Sequence, residues 1–336
     1  MTDQSNMPEP PKSLLERAES MFGLGGYKPA KVPGALKKPV NRRPKRATPK
    51  AKASEVPVNT TVEPAPVPAP QPQVAAAPVP APEPVYIDVE FSDTVHPINR
   101  ECLTRYGLIQ PESQVTELLE EFRIVKRQVL QAVRKAQDKG SGALAQRVLV
   151  CSPHPDEGKS YCAVNLALAL AAEKDCEVLL VDADFAKPSV LKMLGLPKGP
   201  GFMDVLARDD LMVEDCVLAT DIAGLHVLPA GNHTTSDSEY LASHRTAEVL
   251  DRLTRAAPQR VVIFDSPPAL AASQAAELAN HVGQAIVVAR ADRTGQNALE
   301  DALTLLSACP DLKLLLNAAH FSPSGRKFGA YYGEAV

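Results

Sequence analysis

A glycine, a lysine and a serine stand together where a strand pattern gives way to a helix pattern. The run Val-Leu-Val-Cys within 147–152 predicts a buried strand, and 159–173 has the Ala/Leu periodicity of a helix. Such a junction offers backbone N–H groups and a helix N-terminus to phosphate oxygens, while the lysine reaches the terminal phosphates and the serine ligates Mg²⁺. The sequence therefore predicts a nucleotide site formed by Glu157, Gly158, Lys159, Ser160 and Tyr161.

Three aspartates follow two other apolar runs that predict buried strands. Asp182 and Asp184 end the run Val-Leu-Leu-Val, and Asp265 ends the run Val-Val-Ile-Phe. Carboxylates at strand ends are suited to holding Mg²⁺, directly or through water, and one of them is suited to accepting a hydroxyl proton. Each aspartate is also suited to capping a helix or turn, so the residues alone leave both interpretations open.

The elements that must position these side chains alternate between strand and helix. A helix at about 112–136 and a short edge strand at 86–89 are predicted to precede them. Continuous apolar strands separated by helices are typical of a doubly wound, mainly parallel α/β sheet, whose ligands bind at the carboxyl ends of the strands. The predicted strands are 147–152, 177–182, 225–229, 260–265, 284–290 and 312–317, and the predicted helices are 159–173, 240–254, 273–281 and 296–308.

The N-terminal quarter has a different composition. Eighteen of the 31 prolines lie in residues 1–84, and a stretch so poor in aromatic residues predicts a disordered arm over 1–85. Within it, 13–22 has the spacing of a short docking helix, whereas 28–52 carries ten basic residues and no acidic one. That basic stretch is either a solvated linker or attracted to anionic lipid or nucleic acid. We expect a folded domain at 86–325 and a mobile tail at 326–336.

Charge and composition exclude several classes of function. Residues 1–85 carry 12 basic and 7 acidic side chains, whereas the remainder carries 24 and 33. A net charge of −9 on the folded part makes its body a poor candidate for binding nucleic acid. The sequence has no apolar run of membrane-spanning length, no signal-peptide pattern and no CxxC pair. We therefore expect a cytoplasmic protein with reduced thiols.

The three motifs together resemble those of the bacterial tyrosine kinases. Glu157-Gly-Lys-Ser160 is similar to the family's Walker A motif, Asp182-Ala-Asp184 to Walker A′, and Asp265-Ser-Pro-Pro268 to Walker B. Two further segments, 188–190 and 201–206, also resemble the family. The start of the chain, 13–18, and the segment 119–130 resemble the branch found with exosortase and exopolysaccharide loci.

The resemblance implies a P-loop NTPase fold, the cofactors ATP and Mg²⁺, and autophosphorylation on tyrosine that controls exopolysaccharide synthesis and export. It implies a homo-oligomer, recruited to the inner membrane by a separate polysaccharide chain-length protein. The implied catalytic residues are Lys159, Asp182 and Asp184, and the implied Mg²⁺ ligands are Ser160, Asp182, Asp184 and Asp265. The implied phosphate acceptors are Tyr331 and Tyr332, and the implied oligomerisation motif is Glu120, Arg123 and Lys126.

The chain departs from the family pattern at four places. Asp156 replaces a glycine of the phosphate loop, which adds a charge and a Cβ near the phosphates and predicts weaker ATP binding. Pro153 stands where the loop usually has a small residue, and Ala186 stands where the family has arginine. The tail keeps two tyrosines of a larger cluster.

Two alternatives to an active kinase remain open from the sequence. Asp156 and Ala186 are compatible with a regulator that binds nucleotide, or a partner, without turnover. The second alternative is an assembly ATPase of the ParA/MinD type, which shares the fold. Those proteins carry a second lysine five residues before the Walker lysine, and His154 at that position counts against them.

Overall fold

The computed structural model describes residues 89–111 and 114–319. An eight-stranded sheet in the order β1-β4-β5-β3-β6-β2-β7-β8 forms its centre. All neighbouring strands are parallel except β4 and β5, which pair antiparallel. The strands are β1 Val95–His96, β2 Arg147–Cys151, β3 Glu177–Asp182, β4 Leu218–Thr220, β5 Leu225–Leu228, β6 Arg260–Asp265, β7 Gln284–Arg290 and β8 Leu312–Asn317.

Helices cover both faces of the sheet, and each face has its own buried apolar cluster. Strands β2, β3 and β6 are apolar almost throughout, because both faces of these central strands are buried. The fold is therefore the predicted α/β sheet of P-loop NTPase type. Its helices are α1 Arg100–Arg105, α2 Glu117–Asp138, α3 Lys159–Ala171, α4 Val190–Leu194, α5 Phe202–Ala207, α6 Asp237–Leu241, α7 His244–Thr254, α8 Gln274–Ala279 and α9 Gln296–Leu305; 3₁₀ turns lie at Gly142–Gln146 and Glu214–Cys216.

Several predicted boundaries were wrong. Helix α2 begins at Glu117 rather than near 112, because the Thr116 side chain accepts a hydrogen bond from the Leu119 N–H and caps it there. The helix predicted over 240–254 is two helices, α6 and α7, separated at residues 242–243. The predicted helix 273–281 is the shorter α8.

The sheet contains two short strands that the sequence analysis missed, β1 and β4. Of the strand predicted at 86–89, only Val89 is described, and it is not in a strand. The arm at 1–85 and the tail at 326–336 lie outside the described residues. Across the described part of the chain, no helix combines the length and apolar character needed to cross a membrane.

Candidate nucleotide site

The segment between β2 and α3 is a loop built to present backbone N–H groups. The Ser152 hydroxyl donates to the carbonyl of His154, and the His154 N–H donates to Glu157 Oε2 at 2.8 Å. Gly158 ends the loop with a left-handed φ of +96°. Within the described residues, none of the five successive N–H groups from Asp156 to Ser160 has a hydrogen-bond acceptor. Successive unbonded N–H groups at a helix N-terminus form a site for anions such as phosphate.

Gly158 is required by its surroundings as well as by its φ. A Cβ on this residue would lie 2.0 Å from Nδ2 of Asn317, the last residue of β8. The same Nδ2 donates to the carbonyl of Glu157 at 2.9 Å. The loop therefore packs directly against the end of β8, and a side chain at position 158 would displace the Asn317 amide from the loop.

Lys159 opens α3 and lies among carboxylates. Its Nζ is 2.7 Å from Asp184 Oδ2 and 3.9 Å from Asp265 Oδ1, and it donates to Ser160 Oγ at 3.2 Å. Burial opposes the ammonium charge, but the nearby Asp265 and Asp184 outweigh it and raise the pKa of Lys159. Lys159 therefore remains charged, and it is positioned to neutralise anionic groups at this end of the sheet.

Asp182 ends β3 and is fully buried. Its Oδ1 accepts the N–H of Asp184, while its Oδ2 accepts the N–H groups of Ser189 and Val190 at 2.9 and 3.0 Å. Burial, and then the charge of Asp265, raise the pKa of Asp182 to about 7 in spite of these donors. The carboxylate thus fixes the turn that leads into α4, and it titrates near neutral pH.

Asp265 lies beside Asp182, because β3 and β6 pair in register at these two residues. Its side chain is fully buried, and neither of its oxygens has a hydrogen-bond partner among the described residues. Burial raises the pKa of Asp265 to about 6, although the Lys159 ammonium acts in the opposite direction. A buried carboxylate whose oxygens accept no hydrogen bond is costly even with the Lys159 ammonium 3.9 Å away, so this side chain has unused capacity for a cation.

This donor set fits Mg²⁺. The Ser160 hydroxyl and the oxygens of Asp182, Asp184 and Asp265 are hard oxygen ligands, and two of those oxygens are without partners. Between residues 89 and 319, excluding the two undescribed positions, no three His, Cys, Asp or Glu side chains form a preassembled metal cluster. A cation here would therefore depend on phosphate oxygens or water for its remaining ligands, as Mg²⁺ commonly does.

Other predicted residues lie away from this cluster. The Tyr161 hydroxyl donates to the carbonyl of Gly107 at 3.1 Å, so its side chain contacts the end of α1 instead. On α2, Glu120 and Arg123 form an ion pair with each other. Lys126 donates to the carbonyl of Ala169 and pairs with Glu173 Oε1 at 2.6 Å. Tyr331 and Tyr332 lie outside the described residues.

Three residues that contact the loop were not predicted from the sequence. They are Arg290, Thr294 and Asn317. Arg290 is the last residue of the predicted strand 284–290, Thr294 lies shortly after it, and Asn317 is the last residue of the predicted strand 312–317. The rule that ligands bind at the carboxyl ends of parallel strands would have drawn attention to these polar positions.

Comparison with known proteins places this geometry in a family. Over 188 residues the chain is 32% identical to tyrosine-protein kinase YwqD of Bacillus subtilis (strain 168), which covers 55% of this chain and 77% of that protein. The chain belongs to the bacterial tyrosine-kinase family. A second bacterial tyrosine kinase, ptk of Acinetobacter johnsonii, is 30% identical over 160 residues, which is 48% of this chain and 21% of ptk.

Among solved structures, this chain is similar to the BceF tyrosine kinase domain. The TM-score is 0.50 with 25% sequence identity, over 66% of this chain and 82% of that one. No family model matches the chain. The chain spans 21% to 32% of the length of three curated relatives, so much of those proteins has no counterpart in the match.

Proposed function

We propose that this chain is an ATP-dependent protein-tyrosine autokinase that phosphorylates Tyr331 or Tyr332 of a neighbouring copy. The observation that supports this proposal most directly is that an anion-binding loop and a lysine among carboxylates lie together at one end of the sheet. Five unbonded N–H groups lie beside a lysine that contacts Asp184 and approaches Asp265. A triphosphate with Mg²⁺ is the ligand that such a combination suits.

The residues divide the work of phosphoryl transfer as follows. The N–H groups of 156–160 hold phosphate oxygens, and Lys159 offsets the negative charge on the terminal phosphates. Ser160, Asp184 and Asp265 would hold Mg²⁺, which on binding supplies charge neutralisation at the phosphates. Asp182, with a pKa of about 7, is suited to orient an incoming tyrosine hydroxyl and accept its proton.

In the cell, the kinase would act on the machinery that makes or exports polysaccharide. Family membership supports a role in exopolysaccharide synthesis or export. In this role a homo-oligomer forms through Glu120, Arg123 and Lys126, and an inner-membrane chain-length protein recruits the cytoplasmic kinase. Arg123 and Lys126 are both ion-paired within the chain, and Arg123 is the more exposed of the two.

A specific observation favours a second candidate, a regulator that binds nucleotide without turnover. Asp156 has a left-handed φ of +63°, which a glycine would adopt without cost, and its charge lies in the phosphate loop. Both features weaken ATP binding, and Ala186 provides no cation where the family has arginine.

Phosphosite mapping after incubation with Mg·ATP distinguishes these candidates. We expect phosphate on Tyr331 or Tyr332, and we expect it to be lost in the Tyr331→Phe/Tyr332→Phe double variant and in Asp182→Ala. The Tyr27→Phe variant serves as the matched control and should label normally. Phosphate found only on Tyr27 would contradict the tail mechanism, whereas nucleotide binding without phosphate on any tyrosine would support the regulator.

A further inference from the structure

Three side chains from the ends of β7 and β8 hold the phosphate loop from one side. We call Arg290, Thr294 and Asn317 the loop brace. Each of them bonds to Asp156 or Glu157, the residues that precede Gly158. On the other side, the N–H groups of Ala269 and Leu270 donate to the carbonyls at the start of the loop. The start of the loop is therefore held by the segment after β6, whereas Asp156 and Glu157 are held by the brace.

Thr294 acts through the carboxylate of Glu157. Its hydroxyl donates to Glu157 Oε1 at 2.5 Å and accepts the N–H of Arg290 at 2.8 Å. The other oxygen, Glu157 Oε2, accepts the His154 N–H. Glu157 is only 1% exposed, so it cannot replace a lost partner with bulk water. A hydroxyl that both donates and accepts is required at 294, and serine is the only simple substitute.

Arg290 and Asn317 bond to the backbone of the loop. Arg290 Nη1 donates to the carbonyl of Asp156 at 3.1 Å, and Asn317 Nδ2 donates to the carbonyl of Glu157 at 2.9 Å. Two successive carbonyls are thus engaged by the brace, while the N–H groups of the same peptides have no acceptor within the described residues. The brace therefore fixes which groups of the loop remain available to an anion.

Backbone strain is concentrated in the same place. In the described ranges, three residues other than glycine have left-handed φ, namely Asp156 at +63°, Asp292 at +59° and Ala318 at +53°. One lies in the loop, one between Arg290 and Thr294, and one directly after Asn317. Such conformations persist only where surrounding contacts determine them, and these residues flank the brace contacts.

We propose that Arg290, Thr294 and Asn317 are positioning residues for phosphate binding, acting through Glu157 and the loop carbonyls. The proposal rests on the nucleotide site proposed above. Loss of a brace contact frees the loop to turn its carbonyls inward, where they would repel phosphate. Weaker Mg·ATP binding follows, even in a protein that remains folded.

The test measures the dissociation constant of Mg·ATP by titration calorimetry at 25 °C, with folding of each variant checked by circular dichroism. We expect Thr294→Val to weaken binding about ten-fold, because it leaves Glu157 Oε1 buried without a donor. Thr294→Ser should restore the wild-type constant. Thr304→Val is the matched control, since the Thr304 hydroxyl bonds only within α9, to the carbonyl of Glu300.

Asn317→Ala supplies an independent arm, with Asn280→Ala as its control, at the residue that follows α8 and bonds to the carbonyl of Ala276 in that helix. Half-buried Asn317 tolerates truncation better than a core residue does, so this arm decides the outcome if Thr294→Val does not fold. Wild-type constants in folded Thr294→Val and Asn317→Ala would overturn the brace, even if their melting temperatures fell. Absence of binding by the wild type would instead refute the nucleotide site itself.

Discussion

Asp265→Asn should make the protein more stable while weakening the proposed binding of Mg·ATP. The carboxylate is fully buried, and its oxygens have no hydrogen-bond partner within the described part of the chain. The substitution keeps the shape of the side chain and removes its charge. The question is how much the buried charge costs the folded protein.

The raised pKa gives the magnitude. Because folding raises the pKa of Asp265 from 3.8 to about 6, the folded state binds more protons than the unfolded state between these values. Stability linked to this group therefore falls as the pH rises through that window, and it stays lower above pH 6. The shift corresponds to about 3 kcal/mol at pH 8 and roughly half of that at pH 5.

Replacing the buried carboxylate with a neutral amide removes most of this destabilisation. An unpaired buried amide costs about 1 kcal/mol, so we expect a net stabilisation of about 2 kcal/mol at pH 8. For a domain of this size that corresponds to a rise in melting temperature of roughly 4–8 °C. At pH 5 the rise should shrink to a third or less, because the charge is largely absent there.

The assay is thermal unfolding of wild type and variant at pH 5 and pH 8, each with and without Mg·ATP. The wild type should gain stability from Mg·ATP, and the variant should gain much less, since it lacks a ligand for the cation. Asp182→Asn is the matched control. Its amide would face the N–H groups of Ser189 and Val190, so it should be destabilising although the pKa of Asp182 is also raised.

An Asp265→Asn protein that melts below the wild type at pH 8 would refute this reasoning. It would mean that the attraction between Asp265 and Lys159 outweighs the cost of burying the carboxylate. The same rise in melting temperature at pH 5 and pH 8 would also refute it, because the benefit would then not depend on ionisation.

Two further predictions concern the loop. Lys159→Ala should weaken Mg·ATP binding at least about 100-fold, since the neighbouring charged side chains Asp182, Asp184 and Asp265 are negative and repel the phosphates. Lys174→Ala, exposed beyond the end of α3, is its control, and unchanged affinity in a folded Lys159→Ala protein would exclude the loop as a phosphate site. Asp156→Gly should tighten Mg·ATP binding by about three-fold, because it removes a negative charge near the phosphates and a Cβ from a left-handed residue. Equal or weaker binding, measured by the same calorimetric titration, would show that the loop needs Asp156.

The fold followed from the sequence because its central strands carry an unmistakable pattern. Strands β2, β3 and β6 are apolar on both faces, and parallel pairing brings their carboxyl ends together. That rule alone placed Lys159 near Asp184 and Asp265. The two-residue strand β1 and the three-residue strand β4 were missed, since elements so short carry no periodicity.

The strand-end rule could have indicated the positions of the brace residues, but sequence patterns could not show which loop groups they contact. Glu157 and Thr294 are separated by 137 residues, and Glu157 and Asn317 by 160. Glutamate before Gly158 predicted a nucleotide contact, yet its carboxylate bonds to His154 and Thr294. Which side chain a buried carboxylate meets depends on strand order, and the order β2-β7-β8 was not readable from the sequence.

The structure also distinguishes the three carboxylates, all of which the family resemblance implied as Mg²⁺ ligands. Asp182 accepts three backbone N–H groups and Asp184 holds the Lys159 ammonium, whereas Asp265 retains two oxygens without donors. A divalent cation gains most from the carboxylate that loses least on binding it, because the others must give up existing partners. Asp265 would therefore hold Mg²⁺ at the least cost, and Lys159 would have to leave Asp184 in order to contact the phosphates. If so, Asp265→Asn should weaken Mg²⁺-dependent ATP binding more than Asp184→Asn does, and comparison of the two variants with and without Mg²⁺ tests that order.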